Sequence, residues 1–180
     1  MSRVFLLAPV IAFAQDNLIL APPPDSAFPP GPVRLIARVA GESAVKLDGE
    51  AVKVESPHPG VVTAELQPAP GTHEITLGDQ KVRFAVGKAD GFTAFRPHPP
   101  SNSCTTCHAV RNGRWRFVRA SLSNVCSQCH SKETFPAKHT HQMDLLPDCQ
   151  LCHNPHGSTA AGHMKLARDA ACKQCHSLQK

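Results

Sequence analysis

The chain has 180 residues, with 8 Cys, 11 His, 17 Pro, no Tyr and a formal net charge of +5. That length allows one or two small domains. Past the N-terminus no apolar run approaches the roughly 18–20 residues of a membrane-crossing helix, so the mature chain should have no transmembrane segment.

In chain order, residues 1–14 read as a signal peptide. Arg3 is the charged start, Val4 to Phe13 is mostly apolar, and Ala12-Phe13-Ala14 resembles a cleavage site. The expected location is periplasmic or extracellular. Residues 15–32 contain Pro22-Pro23-Pro24 and Pro29-Pro30-Gly31-Pro32 and read as an extended Pro-rich leader. Residues 33–87 change character. Val33–Val39, Ala44–Leu47, Ala51–Val54, Val61–Leu66, Thr72–Leu77 and Lys81–Val86 are short alternating runs. Asp48-Gly49 and Gly78-Asp79-Gln80 supply hairpin turns. Six such strands predict a small all-β, immunoglobulin-like sandwich, and Pro70 to Leu77 resembles the last hairpin of bacterial modules of that kind. His58 and His73 are expected on its surface, with a ligating role across the domain boundary as the alternative for one of them. Residues 88–97 read as a linker into residues 98–180.

That last segment carries one pattern four times: Cys104-Thr-Thr-Cys107-His108, Cys126-Ser-Gln-Cys129-His130, Cys149-Gln-Leu-Cys152-His153 and Cys172-Lys-Gln-Cys175-His176. Two cysteines three apart, followed by His, form an attachment site for c-type haem. On one helical turn the two thiols share a face and the imidazole follows it. The thiols can then bond both vinyl groups of a porphyrin while the His ligates its iron. Zinc ribbons would not need the His after the second Cys, and a disulfide framework would not need the two-residue gap. All eight cysteines fall in the pattern, and the motifs recur at near-constant period, as an internal repeat does. The expected cofactors are therefore four covalently bound haem c groups.

The same segment is poor in large apolar side chains, so a side-chain core cannot hold it together. The prediction is an irregular, mostly loop and short-helix tetrahaem domain folded around its haems, disordered without them. Ser123 and Asp169 are expected N-caps for helices bearing the second and fourth motifs. The positive charge is no argument for nucleic acid, because haem propionates offset it. Arg111, Arg114, Arg116 and Arg119 read as a solvated basic face, or as partners for propionates or an acidic docking surface. Trp115 and Phe117 are expected to pack on haem.

Cys149 to His176, with Asn154-Pro155-His156-Gly157 between its motifs and Lys138-His139-Thr140-His141 before it, resembles the doubled-CxxCH unit of multihaem c-type cytochromes. Residues 98–130 resemble it less, because Ala109-Val110 stands where Asn-Pro is expected. The resemblance implies low-potential haems ligated by two His each. It makes His98, His139, His141 and His156 the distal ligands, with His98 and His139 serving the first two haems and His141 and His156 the last two. His163 is the spare, and Met143 and Met164 are alternative axial sulfurs. The implied role is electron transfer along a row of haems, with no enzymatic activity. The implied partners are other cytochromes or a membrane quinol-linked complex. A subunit of a polymeric cytochrome filament, and a multihaem reductase of a small oxyanion, are the alternatives.

Overall fold

Alternation decides the architecture of the N-terminal half. In β3 (Val33–Arg38), Val33, Leu35 and Ala37 are fully buried, whereas Arg34, Ile36 and Arg38 point to the other face. The computed structural model describes residues 17–41, 44–99, 103–131 and 148–176. The signal-peptide reading, His139, His141 and Met143 lie outside the described residues. β1 (Leu18–Ala21), β3, β7 (Val61–Leu66) and β6 (Glu55–His58) form one sheet in the order β1-β3-β7-β6. The second sheet has the order β10-β2-β9-β8-β4-β5. It uses β2 (Ser26–Phe28), β4 (Val45–Leu47), β5 (Glu50–Ala51), β8 (Gly71–Leu77), β9 (Gln80–Val86) and β10 (Thr93–Ala94).

One apolar cluster joins the sheets. Val33, Leu35, Val62 and Leu66 come from the first, and Ile75, Leu77, Val82 and Phe84 from the second. This is a β-sandwich core. Each fully buried side chain of this size contributes about 1.5–3 kcal/mol of transfer free energy.

Three readings are corrected. The segment 15–32 is not merely a leader, because it supplies β1 and β2 to the two sheets. Its prolines bound the strands at Pro22–Pro24 and Pro29–Pro32, and Ser26 is fully buried with its hydroxyl donating to the Pro23 carbonyl at 2.6 Å. The expected linker 88–97 likewise holds β10, which runs parallel to β2 at the edge of the second sheet. The run Ala51–Val54 forms the expected hairpin only at its start: Ala51 pairs with Lys46 of β4 and the Val52 N–H donates to the Val45 carbonyl at 2.9 Å, and β6 then joins the other sheet.

The C-terminal half was expected to hold only short helices. It also contains a hairpin, β11 (His108–Arg111) and β12 (Arg114–Phe117). Asn112 (φ 54) and Gly113 (φ 68) form its two-residue turn, and positive φ at both positions matches strand twist. The helices are α1 (Leu122–Cys126) and α2 (Arg168–Lys173). The cap of α1 is Ser121, whose hydroxyl accepts from Asn124 N; Ser123 lies inside the helix. Asp169 sits in the first turn of α2, where its charge suits the helix dipole, and the N-cap position is Ala167.

Among the described residues the two halves touch at the Arg96–Ser158 bridge and along the outer face of the first sheet, where Arg34 also reaches Cys104. Arg96 and Ser158 exchange backbone hydrogen bonds of 2.9 and 3.1 Å. Beside them Gly157 packs against the Phe95 ring so closely that a Cβ there would overlap it. Phe95 in turn packs on Phe28, ring centres 4.6 Å apart. At the second place the outer face of the first sheet meets the β11–β12 hairpin: His58 of β6 lies 4.1 Å from Trp115.

Candidate haem sites

Each Cys-x-x-Cys-His motif is folded as a single turn. The second cysteine's N–H donates to the first cysteine's carbonyl in all four, at 3.1–3.3 Å. In the second, third and fourth motifs the His N–H donates to that same carbonyl at 2.9 Å. His108 departs from this, because it leaves the turn as the first residue of β11. These turns put both sulfurs and the imidazole on neighbouring positions, as a porphyrin edge bonded twice requires. None of the eight cysteines is paired in a disulfide.

The motifs adjoin one another. The Cys126 thiol, pushed up to about 11 by burial and then by Cys149, lies at the third motif. Burial and then the nearby Cys129 raise Cys107. Arg119 Nη2 donates to Gln128 Oε1 at 3.3 Å, between the hairpin and the second motif. The first, second and third motifs thus stand in spatial sequence.

The other histidines complete the geometry. His156 lies opposite His108 with ring centres 6.3 Å apart and planes within 8°. His98 lies opposite His130 at 6.0 Å. Two imidazoles on opposite sides of one metal ion have ring centres about 6 Å apart, since each metal–nitrogen bond is about 2 Å. Ligation requires neutral imidazole. Burial holds His108 below the usual range, and burial followed by the charges of His108, Arg34 and His98 does so for His156. His98 is lowered by burial, then by His163 and His130. His153 Nδ1 is 2.7 Å from the Gly162 carbonyl, which leaves Nε2 for metal. A haem ligated through these side chains fits the residues present.

His163 is 5.1 Å from His98, nearly perpendicular to it, and its Nδ1 is buried with no hydrogen-bond partner. Ser158 Oγ donates to the Met164 carbonyl, fixing the loop that carries both His156 and His163. The hairpin segregates its side chains. His108 pairs with Phe117, and Val110 with Trp115, on one face. His108 lies 5.0 Å from Trp115 and 5.5 Å from Phe117. Ala109, Arg111, Arg114 and Arg116 take the opposite face, and with Arg119 the arginines line an open basin there.

The expected division of distal ligands placed His156 with the last two haems. In the structure it stands against the first motif instead, because the loop after His153 folds back and is pinned to Arg96 through Ser158. His73 is not a free surface residue: Nδ1 meets Asp48 Oδ2 and Nε2 meets the Ala69 carbonyl, both at 2.7 Å. His176 ends the fourth motif turn.

Residues 146–180 match the doubled CXXCH motif. The match spans the third and fourth motifs and assigns covalently bound haem c, in the manner of multihaem c-type cytochromes, whose chemistry is electron transfer. No curated protein matches the chain by sequence. Among solved structures, the chain is similar to fibronectin(III)-like modules of Clostridium thermocellum CbhA, at 18% identity and a TM-score of 0.32, over 41% of this chain and 99% of that one. It is also similar to an engineered protein, at 20% identity and a TM-score of 0.33, over 43% of this chain and 21% of that one. Among the described residues no helix is long and apolar enough to cross a membrane.

Proposed function

We propose that the chain is an exported tetrahaem c-type cytochrome that carries electrons and has no catalytic site of its own. The observation that supports this most is the opposition of His156 to His108 and of His98 to His130, at 6.3 and 6.0 Å. Each of these pairs joins a motif His to a distant His, the arrangement of a doubly ligated iron. Bound haem supplies one-electron redox chemistry. The chain's residues hold, orient and space the groups.

In this reading His108 and His156 ligate the first group, and His130 and His98 the second. His153 and His176 hold the third and fourth, with distal ligands drawn from His139, His141 and His163. An iron ligated on both sides offers no position to a substrate, which favours a carrier over an oxyanion reductase. A second argument comes from burial. Of the buried hydrophobic residues only Val125 and Ala171 belong to the described part of the C-terminal half. So thin a side-chain core suits a domain whose interior is porphyrin. Redox proteins of the same export pathway, other cytochromes or a quinol-linked complex, are the partners that fit.

The test is the haem-to-protein ratio of mature protein together with its oxidised and reduced spectra. Four haems per chain, all low-spin, are expected. A ratio of two, or a resting high-spin component, would overturn the tetrahaem carrier.

A further inference from the structure

The face of the β-sandwich turned toward the hairpin carries a charge that the four motifs do not supply. Arg34 lies on the outer face of β3, opposite Glu65 of β7 in register. Its side chain is half-buried, and Nη2 donates to Cys104 Sγ at 3.7 Å. Its charge is also felt at His156, where it disfavours a second positive charge. Cys104 is a thioether position of the first motif, and His156 opposes that motif's imidazole. One guanidinium therefore lies beside the first motif at its Cys104 end, with its charge within electrostatic range of His156.

We propose that Arg34 is a positioning residue for the redox balance of that group: the β-sandwich sets the reduction potential of the first haem above the value the motif alone would give. This rests on the tetrahaem reading. Reduction adds one electron and hence one negative charge to the group. A guanidinium is a permanent cation, so the step needs no proton to move with the electron. A cation in partly desolvated surroundings stabilises the electron-rich form, because the attraction is screened less than in water. Glu65, its cross-strand neighbour, offsets part of this. His58 packs at a tilt on Trp115, and Trp115 at a tilt on His108, so that the same sheet face reaches the proximal side as well.

The experiment is a potentiometric titration of mature holoprotein followed by visible absorption, on wild type, R34Q, R34K and E65Q. Haem-to-protein ratio and spin state are measured on each sample. R34Q should shift one of the four one-electron steps toward lower potential by about tenfold in its equilibrium constant, about 59 mV. The other three steps should stay in place, as should stoichiometry and spin state. R34K should restore most of the step, and E65Q should move it the opposite way by less. Four unmoved steps in R34Q would overturn the proposal. So would R34K shifting as far as R34Q, which would mean that packing and not charge is at work. If R34Q does not mature, E65Q decides, and no upward shift there overturns the proposal. Failure of the tetrahaem reading is seen separately, as a wild-type ratio other than four.

Discussion

Replacing His156 by Ala removes one of eight axial imidazoles in the tetrahaem reading, so one haem in four should become high-spin. The 6.3 Å separation of His156 from His108 points to the first. Iron ligated by His108 would lie about 3 Å beyond that ring's centre. Trp115 is the chain's single Trp and sits 5.0 Å from His108, within about 8 Å of that iron. Dipolar shifts from a paramagnetic ion fall with the cube of distance, so the indole N–H of Trp115 reports chiefly on the first haem. In oxidised, nitrogen-15-labelled H156A this resonance should move and broaden, while a quarter of the iron acquires a high-spin EPR signal. Added imidazole should reverse both. The H98A variant should show the same quarter of high-spin iron, with the Trp115 resonance far less displaced, because His98 opposes His130. A large indole shift in H98A and none in H156A would reverse the pairing. No high-spin iron in H156A would remove His156 from the ligand set.

Other perturbations follow from the packing. F84A empties the sandwich core at a fully buried ring. It should destabilise the β-sandwich by about 3–5 kcal/mol, read from denaturant midpoints of holoprotein. G157A places a Cβ on Phe95 and on the Arg96 carbonyl at 2.9 Å. It should loosen the Arg96–Ser158 contact, raise amide exchange there, and give H156A-like high-spin iron in part of the sample. Burial pulls His73 down, but the Asp48 hydrogen bond, the Ala69 carbonyl and the Asp48 charge outweigh it and raise its folded value above 6.5. The stability from this pair is then complete below pH 6.5 and fades as pH rises through the raised value. Asp48 is pushed up by burial and down by His73 and the Glu74 amide, with a net lowering below 3.8, so its share is present above pH 3.8 and lost in more acid solution. D48N should therefore cost about 0.5–1 kcal/mol near pH 5.5 and less near pH 8, by thermal melts at both. Finally, chain made without haem should lose residues 103–176 to limited proteolysis while residues 17–97 persist, since the buried side chains lie almost wholly in the sandwich.

Much of this was legible in the sequence, and what was not has physical causes. Val33, Leu35 and Ala37 alternate strictly, and the Asp48-Gly49 turn announces its hairpin, so the central strands were readable. Leu18–Ala21 is just as apolar, but the prolines after it masked a strand whose partner, β3, lies beyond them. The β11–β12 hairpin had a clear signal in Asn112-Gly113 with alternating flanks. The arginines of that stretch drew the reading toward a charged surface, although their spacing of two is what places them on one face. The motif turns followed from local spacing. The opposition of His156 to His108 could not, because it depends on a loop folding back onto Arg96, and nothing local encodes that contact.

The crossing of that loop bears on how the molecule is finished. Synthesis delivers the first motif well before the stretch that bears His156. If His156 ligates the group held by His108, the last coordination bond at the earliest-formed centre waits for late-arriving chain. In that reading a stalled or clipped product would keep one metal open to oxygen and small ligands, and the loop's arrival would be a condition for chemical inertness.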